Sequence, residues 1–146
     1  MTKMQSDYEK DFYAWTIHNA ELIRQGKFSE IDVEHVAEEI ESMGRSDKRA
    51  LMSRLSILIV HLLKWKYQPV RRGNSWRLTI KEQRIKLMRL LDESPSLRHE
   101  LELKIHEAYE DALVTAAKQT GLSETSFPTV CPFSFSECVN DEFLPE

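Results

Sequence analysis

Along most of this chain apolar residues recur at steps of three and four, the spacing that lines one face of an α-helix. In the first such run Tyr8, Phe12, Trp15, Leu22 and Ile23 form a stripe that stops near Gly26. Ser6, with Glu9 three residues on, has the form of a capping box, in which a hydroxyl and a carboxylate each satisfy a free backbone N–H. The first helix is predicted to open there. A second is predicted from Asp32, a good N-cap, with Val33, Val36, Ile40 and Met43 on its apolar side and Gly44 as its end.

The third predicted helix, from about Ser46 to Gln68, has a different pattern. Over residues 55–63 the apolar side chains point in every direction, so no face is left for water and the helix should be the central one. Pro69 ends it, because its ring disfavours a helical residue before it and it has no N–H to donate. Asn74 or Ser75 can cap a fourth helix that turns Trp76, Ile80, Leu87, Leu90 and Leu91 inward. Ser94 and Pro95 mark a break and a restart. A fifth helix then runs from Pro95 to Thr120, packs through Leu97, Leu101, Ile105, Ala108, Ala112 and Ala116, and stops at Gly121.

Beyond Gly121 the periodicity dissolves, and a last short helix is predicted after Ser134, where Glu137 completes another capping box. Phe127, Phe133, Phe135 and Phe143 are too apolar to leave in water, so the tail should lie back across the helices. The expected fold is all-α: a compact single domain over residues 1–146, with five main helices, a short C-terminal one, and the third helix at the centre.

Composition agrees with helices. Four glycines and five prolines fall mostly between long stretches of helix formers, which argues against many short strands. The longest uncharged apolar run, residues 55–63, is too short to span a bilayer, and Met1 to Ser6 has no signal-peptide core, so a cytoplasmic setting away from membranes is expected. Cys131 and Cys138, the only thiols, fit neither a disulfide framework nor a tight zinc knuckle and read as reduced, packed cysteines.

Charge is segregated along the chain. From Lys64 to Arg89 there are nine basic residues against one acid, Glu82, while the rest of the chain holds 11 basic and 23 acidic residues. Six carboxylates and no Lys or Arg lie between Glu30 and Glu41. Trp65, Tyr67 and Trp76 are interleaved with the cations, so the segment 64–89 could hold phosphates while a ring stacks on a base. The cations could equally pair with the acidic second helix and the acid-only tail after Lys118, or meet a protein partner. Arg71, Arg72, Arg77, Lys81 and Trp76 are the candidate binding surface.

Candidate chemistry centres on His61, whose imidazole must find hydrogen-bond partners inside an apolar run. Gln83 falls on the apolar stripe of the fourth helix, which predicts a buried polar network of His61, Gln83 and Tyr109 with Glu38, Glu41 or Glu110. His61 with Glu38 and Glu41 is a weak metal candidate, since the Glu-x-x-His pattern of di-metal bundles is absent, and no cofactor is predicted. Arg54 and His61, seven residues apart on one face, are loosely similar to the Arg-to-His motif of helical ribonucleases of the nucleotide-binding superfamily. There His would move a proton and Arg would steady a phosphate.

Several segments together resemble a prokaryotic helical family known as domain of unknown function twenty-nine, common in cyanobacteria. They are Tyr8 to Trp15, Ala37 to Arg45, His61 to Pro69, Trp76, Ser94 to Leu97, Ala108 to Ala112, and Cys131 with Pro132. The resemblance implies a helical bacterial protein and brings no activity, cofactor or catalytic residue with it. The expected role is a non-catalytic protein-interaction module, regulatory or of toxin–antitoxin type, that meets a protein partner or itself. The alternatives are nucleic-acid binding through residues 64–89, a phosphate-ester or RNA hydrolase using His61 and Arg54, and a metal-binding helical bundle.

Overall fold

A computed structural model describes residues 7–146, and all regular structure among them is helical. After a helical stretch at 7–10 come α1 (Phe12–Arg24), α2 (Val33–Tyr67), α3 (Asn74–Glu93), α4 (Leu97–Leu103), α5 (Ile105–Thr120) and α6 (Phe135–Val139), with single 3-10 turns at Phe28–Glu30, Pro69–Arg71 and Glu124–Ser126. The chain divides into an N-terminal unit that ends at Ser46 and a C-terminal unit that begins at Asp47.

Ser6 of the first capping box lies outside the described residues. Helix α1 is capped instead by Asp11, whose carboxylate accepts from the Ala14 N–H at 3.1 Å. Gly26 and Gly121, past the ends of α1 and α5, take the left-handed conformation that glycine tolerates best, with φ of 74° and 75°. At the other end Ser134 and Glu137 form the reciprocal capping box expected of them.

The first predicted helix is interrupted at Asp11, Gly73 rather than Asn74 or Ser75 stands at the N-cap of α3, and two further boundaries differ from expectation. The second and third predicted helices are one, because Gly44 continues the helical backbone of α2. A glycine within a helix costs only about 1 kcal/mol relative to alanine, and the surrounding turns are rich in helix formers, with Arg45 reaching Glu41 one turn back at 3.9 Å. The fifth predicted helix is two. Lys104 leaves helical geometry, and its N–H is shared between the carbonyls of Glu100 and Leu101, which ends α4 in a tight turn before α5 begins.

In the N-terminal unit Trp15 and Leu22 are buried, but Phe12 and Ile23 of the predicted stripe are exposed. Val33, Ile40 and Met43, expected on the apolar side of the second helix, are likewise exposed. The interior of this unit also holds the polar residues Asn19 and Asp32. Buried Asn19 accepts from the Asp32 N–H at 2.9 Å and donates to the Trp15 carbonyl at 3.0 Å, fastening the loop before α2 to α1.

The core of the C-terminal unit is built on the second half of α2, where Leu51, Leu55, Leu58, Ile59, Leu62 and Leu63 are fully buried. Ile80, Leu87 and Leu91 of α3 and Leu101 of α4 close over them, and Ala108, Ala112 and Ala116 let α5 approach closely. The tail returns as expected, with Phe127, Phe133, Phe135 and Cys138 buried and Phe143 half-buried against the core. Residues 55–63 are not dry all round, however. Ser56, Ile57, His61 and Lys64 are half-buried and recur at helical spacing, giving the helix one partly wetted flank.

Candidate functional site

Helix α3 begins after Gly73 and places Arg77, Lys81 and Arg84 at steps of four and three, on one face. Arg77 and Lys81 are exposed, whereas Arg84 is 2% exposed. Its Nε donates to the Cys138 carbonyl at 2.8 Å, and Nη2 to the carbonyls of Phe143 at 2.8 Å and Glu137 at 3.4 Å. The guanidinium therefore satisfies carbonyls at the end of α6 and in the tail, where the helix C-terminus favours a cation. Nη1 has no partner among the described residues. Burial pulls the Arg84 pKa down and the nearby Asp141 acts against that pull, yet a guanidinium stays charged in proteins.

Arg84 was legible but overlooked. It stands four residues after Ile80 and three before Leu87, which puts it on the same apolar stripe that singled out its neighbour Gln83. A cavity of about 540 Å³ adjoins it, lined by Arg77, Lys81, Arg84 and Asp141 together with Ile80, Ile85 and Leu144.

Among the described residues the cations of residues 64–89 are largely unneutralised. Among the described residues only Lys86 has a carboxylate within ion-pair reach, Glu82 on its own helix, and none pairs with an acid of the tail. Arg72, expected on the binding surface, is half-buried instead. Its Nε donates to the Trp65 carbonyl at 2.6 Å, its Nη2 to the Pro145 carbonyl at 3.4 Å, and it lies over the Trp65 ring. Lys64 similarly covers Trp76, and Lys66 covers Tyr67. Arg71 is exposed and Trp76 half-buried.

The predicted inner network is not assembled. His61 Nδ1 bonds the Ile57 carbonyl of its own helix at 2.9 Å, Gln83 accepts from Arg54 at 3.4 Å, and Tyr109 donates to the Pro128 carbonyl. The physical reason is the wetted flank of α2, which lets His61 satisfy itself locally. Burial lowers the His61 pKa, helped by Lys64 and opposed by the bond to Ile57. Glu110 is exposed and borders a separate cavity of about 380 Å³ beside Tyr109, while Glu38 and Glu41 are exposed in the N-terminal unit. Among the described residues Arg54 and His61 share no hydrogen-bond partner, Arg54 Nη1 reaching Gln83 and His61 its own helix. Among the described residues no three His, Cys, Asp or Glu side chains come together as metal ligands, which leaves His61, Glu38 and Glu41 without a metal geometry. Both cysteines are free, Cys138 fully buried with its pKa pushed by burial to about 12.

A second cluster, in the N-terminal unit, had only a faint signal: Asp32 and His35 one helical turn apart. Asp32 Oδ2 accepts from Trp15 Nε1 at 3.0 Å and lies 2.7 Å from His35 Nδ1. The imidazole stacks on Tyr8 with centroids 3.8 Å apart, and the Tyr8 hydroxyl donates to Glu39 at 2.6 Å. That bond, with burial and nearby carboxylates, pushes the Tyr8 pKa up to about 12.

For Asp32, burial raises the pKa, but the hydrogen bonds from His35 and Trp15 outweigh it and hold the carboxyl below its ordinary 3.8. A depressed folded-state value means that the contribution to stability is present above the ordinary value and is lost as pH falls through the folded one. The stability difference between wild type and Asp32→Asn should therefore be full at neutral pH and shrink below about pH 4. Thermal melts of both proteins across that range check this, and a difference that grew on acidification would contradict it.

Residues 8–144 match the family described as Domain of unknown function DUF29. No curated protein and no solved structure matches the chain.

Proposed function

Since the chain belongs to the DUF29 family, whose function is unknown, we propose from its own residues that it is a non-catalytic interaction module, recognising an acidic protein partner through the cationic face of α3 and the turn before it. The observation that supports this reading is the set of cations in residues 64–89 that no carboxylate neutralises among the described residues, Lys86 apart. Exposed like charges repel one another, and that repulsion is relieved when an oppositely charged surface docks. Arg71, Arg77 and Lys81 are among the exposed members of this set.

A protein partner is favoured over nucleic acid by the aromatic residues. Stacking on a base needs an open ring face, but Trp65, Tyr67 and Trp76 are half-buried and each already faces a cation of this chain. On this reading the protein is regulatory and works in the bacterial cytoplasm. No helix among the described residues is long and apolar enough to cross a membrane.

Combined reversal of Arg71, Arg77 and Lys81 to Glu tests the reading, with Arg72 and Arg84 kept because they hold the fold. Fluorescence anisotropy would compare a Glu-rich peptide with a single-stranded oligonucleotide of equal charge. The peptide is expected to bind with an affinity that falls with salt, and the variant to bind it about tenfold or more weakly, with the melting temperature retained. Peptide binding that survives the reversal, or an oligonucleotide that binds more tightly than the peptide, would overturn it.

A further inference from the structure

The 540 Å³ cavity beside α3 combines features that a solvated basic surface lacks. One of its three cations, Arg84, is buried, so its field is screened less by water than that of a surface Arg. Its orientation is fixed by three backbone carbonyls, while Nη1 has no partner among the described residues. Arg77 and Lys81 stand on the same helix face and are exposed, with Arg77 Nη2 donating to Asn74. Three cations against the single carboxylate of Asp141 leave the lining with two net positive charges. Ile80, Ile85 and Leu144 complete it with hydrocarbon, and the volume exceeds what a bare oxyanion would fill.

We propose that this cavity is a binding site for a phosphate monoester, its dianionic head held by Arg84, Arg77 and Lys81 and its organic body against Ile80, Ile85 and Leu144. The ligand class follows from charge and shape. A dianion matches the net charge of the lining, where a carboxylate supplies half of it, and guanidinium groups fit the oxygens of a phosphate. Asp141 repels the head and limits affinity. This ligand class presupposes α3 as an anion-recognising face and narrows that face to one chemistry.

Calorimetric titration of the full chain with phenyl phosphate is the test, with benzoate and inorganic phosphate as comparisons. Saturable binding of phenyl phosphate is expected, tighter than either comparison. Lys81→Glu should weaken it about tenfold or more, and Asp141→Asn should tighten it several-fold, as removal of a like charge requires. Neither variant touches the hydrogen bonds that hold the tail, so both should fold.

Absence of saturable phenyl phosphate binding, binding indifferent to Lys81→Glu, weakening by Asp141→Asn, or equal binding of benzoate would each overturn the site. Arg71 does not line the cavity and separates this outcome from the partner face. Failure of phenyl phosphate, with Glu-rich peptide still bound and weakened by Arg71→Glu, removes the pocket and leaves the face. Failure of both ligands removes both.

Discussion

Replacing Leu62 with alanine is expected to destabilise the C-terminal unit by about 2–5 kcal/mol, the range for emptying a fully buried leucine site. Leu62 is inaccessible to solvent and sits in the core that α2 shares with α3 and α5. Because natural domains are stable by only about 5–15 kcal/mol, this single change should consume a large share of the total. His61→Ala, one residue away, should cost under about 1 kcal/mol, since His61 is half-buried and, among the described residues, bonded only to its own helix. Urea unfolding followed by circular dichroism measures both. A His61 variant as damaging as the Leu62 variant would mean that the flank of α2 carrying Ser56, His61 and Lys64 is dry after all.

Arg84→Met should be the most damaging polar substitution, at roughly 2–4 kcal/mol, because buried carbonyls left without a donor cost about 1–3 kcal/mol each. The loss is partly offset, since methionine does not bury a charge that has no carboxylate within ion-pair reach among the described residues. Arg84→Lys should rescue little. An ammonium cannot reproduce the fork that serves Cys138 and Phe143 together. The damage should be local, so hydrogen exchange ought to accelerate over residues 135–146 before the rest of the unit. Wild-type protection of that tail in either variant would show that the guanidinium does not hold it.

Where backbone chemistry is local, the sequence pattern was sufficient. Gly26, Pro69, Pro95 and Gly121 mark helix ends because a left-handed cap or a proline ring acts within a few residues, and the Ser134–Glu137 box needs no distant partner. Gly44 misled because its preference is weak enough for neighbouring turns to override, and Lys104 carries no punctuation at all. The tail aromatics were readable from hydrophobicity alone, whereas the exposed stripe of Val33, Ile40 and Met43 has the periodicity of a buried face.

Candidate chemistry was harder to read than the fold. The run over residues 55–63 looked apolar all round, but Ser56 and His61, continued by Lys64, form a narrow polar flank that a count of hydrophobic residues hides. Which cation in a basic helix turns inward depends on register against the core, a tertiary property. Here the stripe through Ile80 and Leu87 carried both Gln83 and Arg84 inside, and only the amide was suspected. The Trp15, Asp32 and His35 cluster joins residues of α1, the loop before α2 and α2, whose sequence separation says nothing of their approach.

The account stands or falls on whether the outward cations of α3 and of the turn before it meet an anionic protein surface. Nuclear magnetic resonance of the Arg and Lys side chains during titration with a Glu-rich peptide reads this directly. Saturable shifts at Arg71, Arg77 and Lys81, with Arg72 little changed, are the expected result. Shifts confined to other residues, or none that saturate, would contradict it.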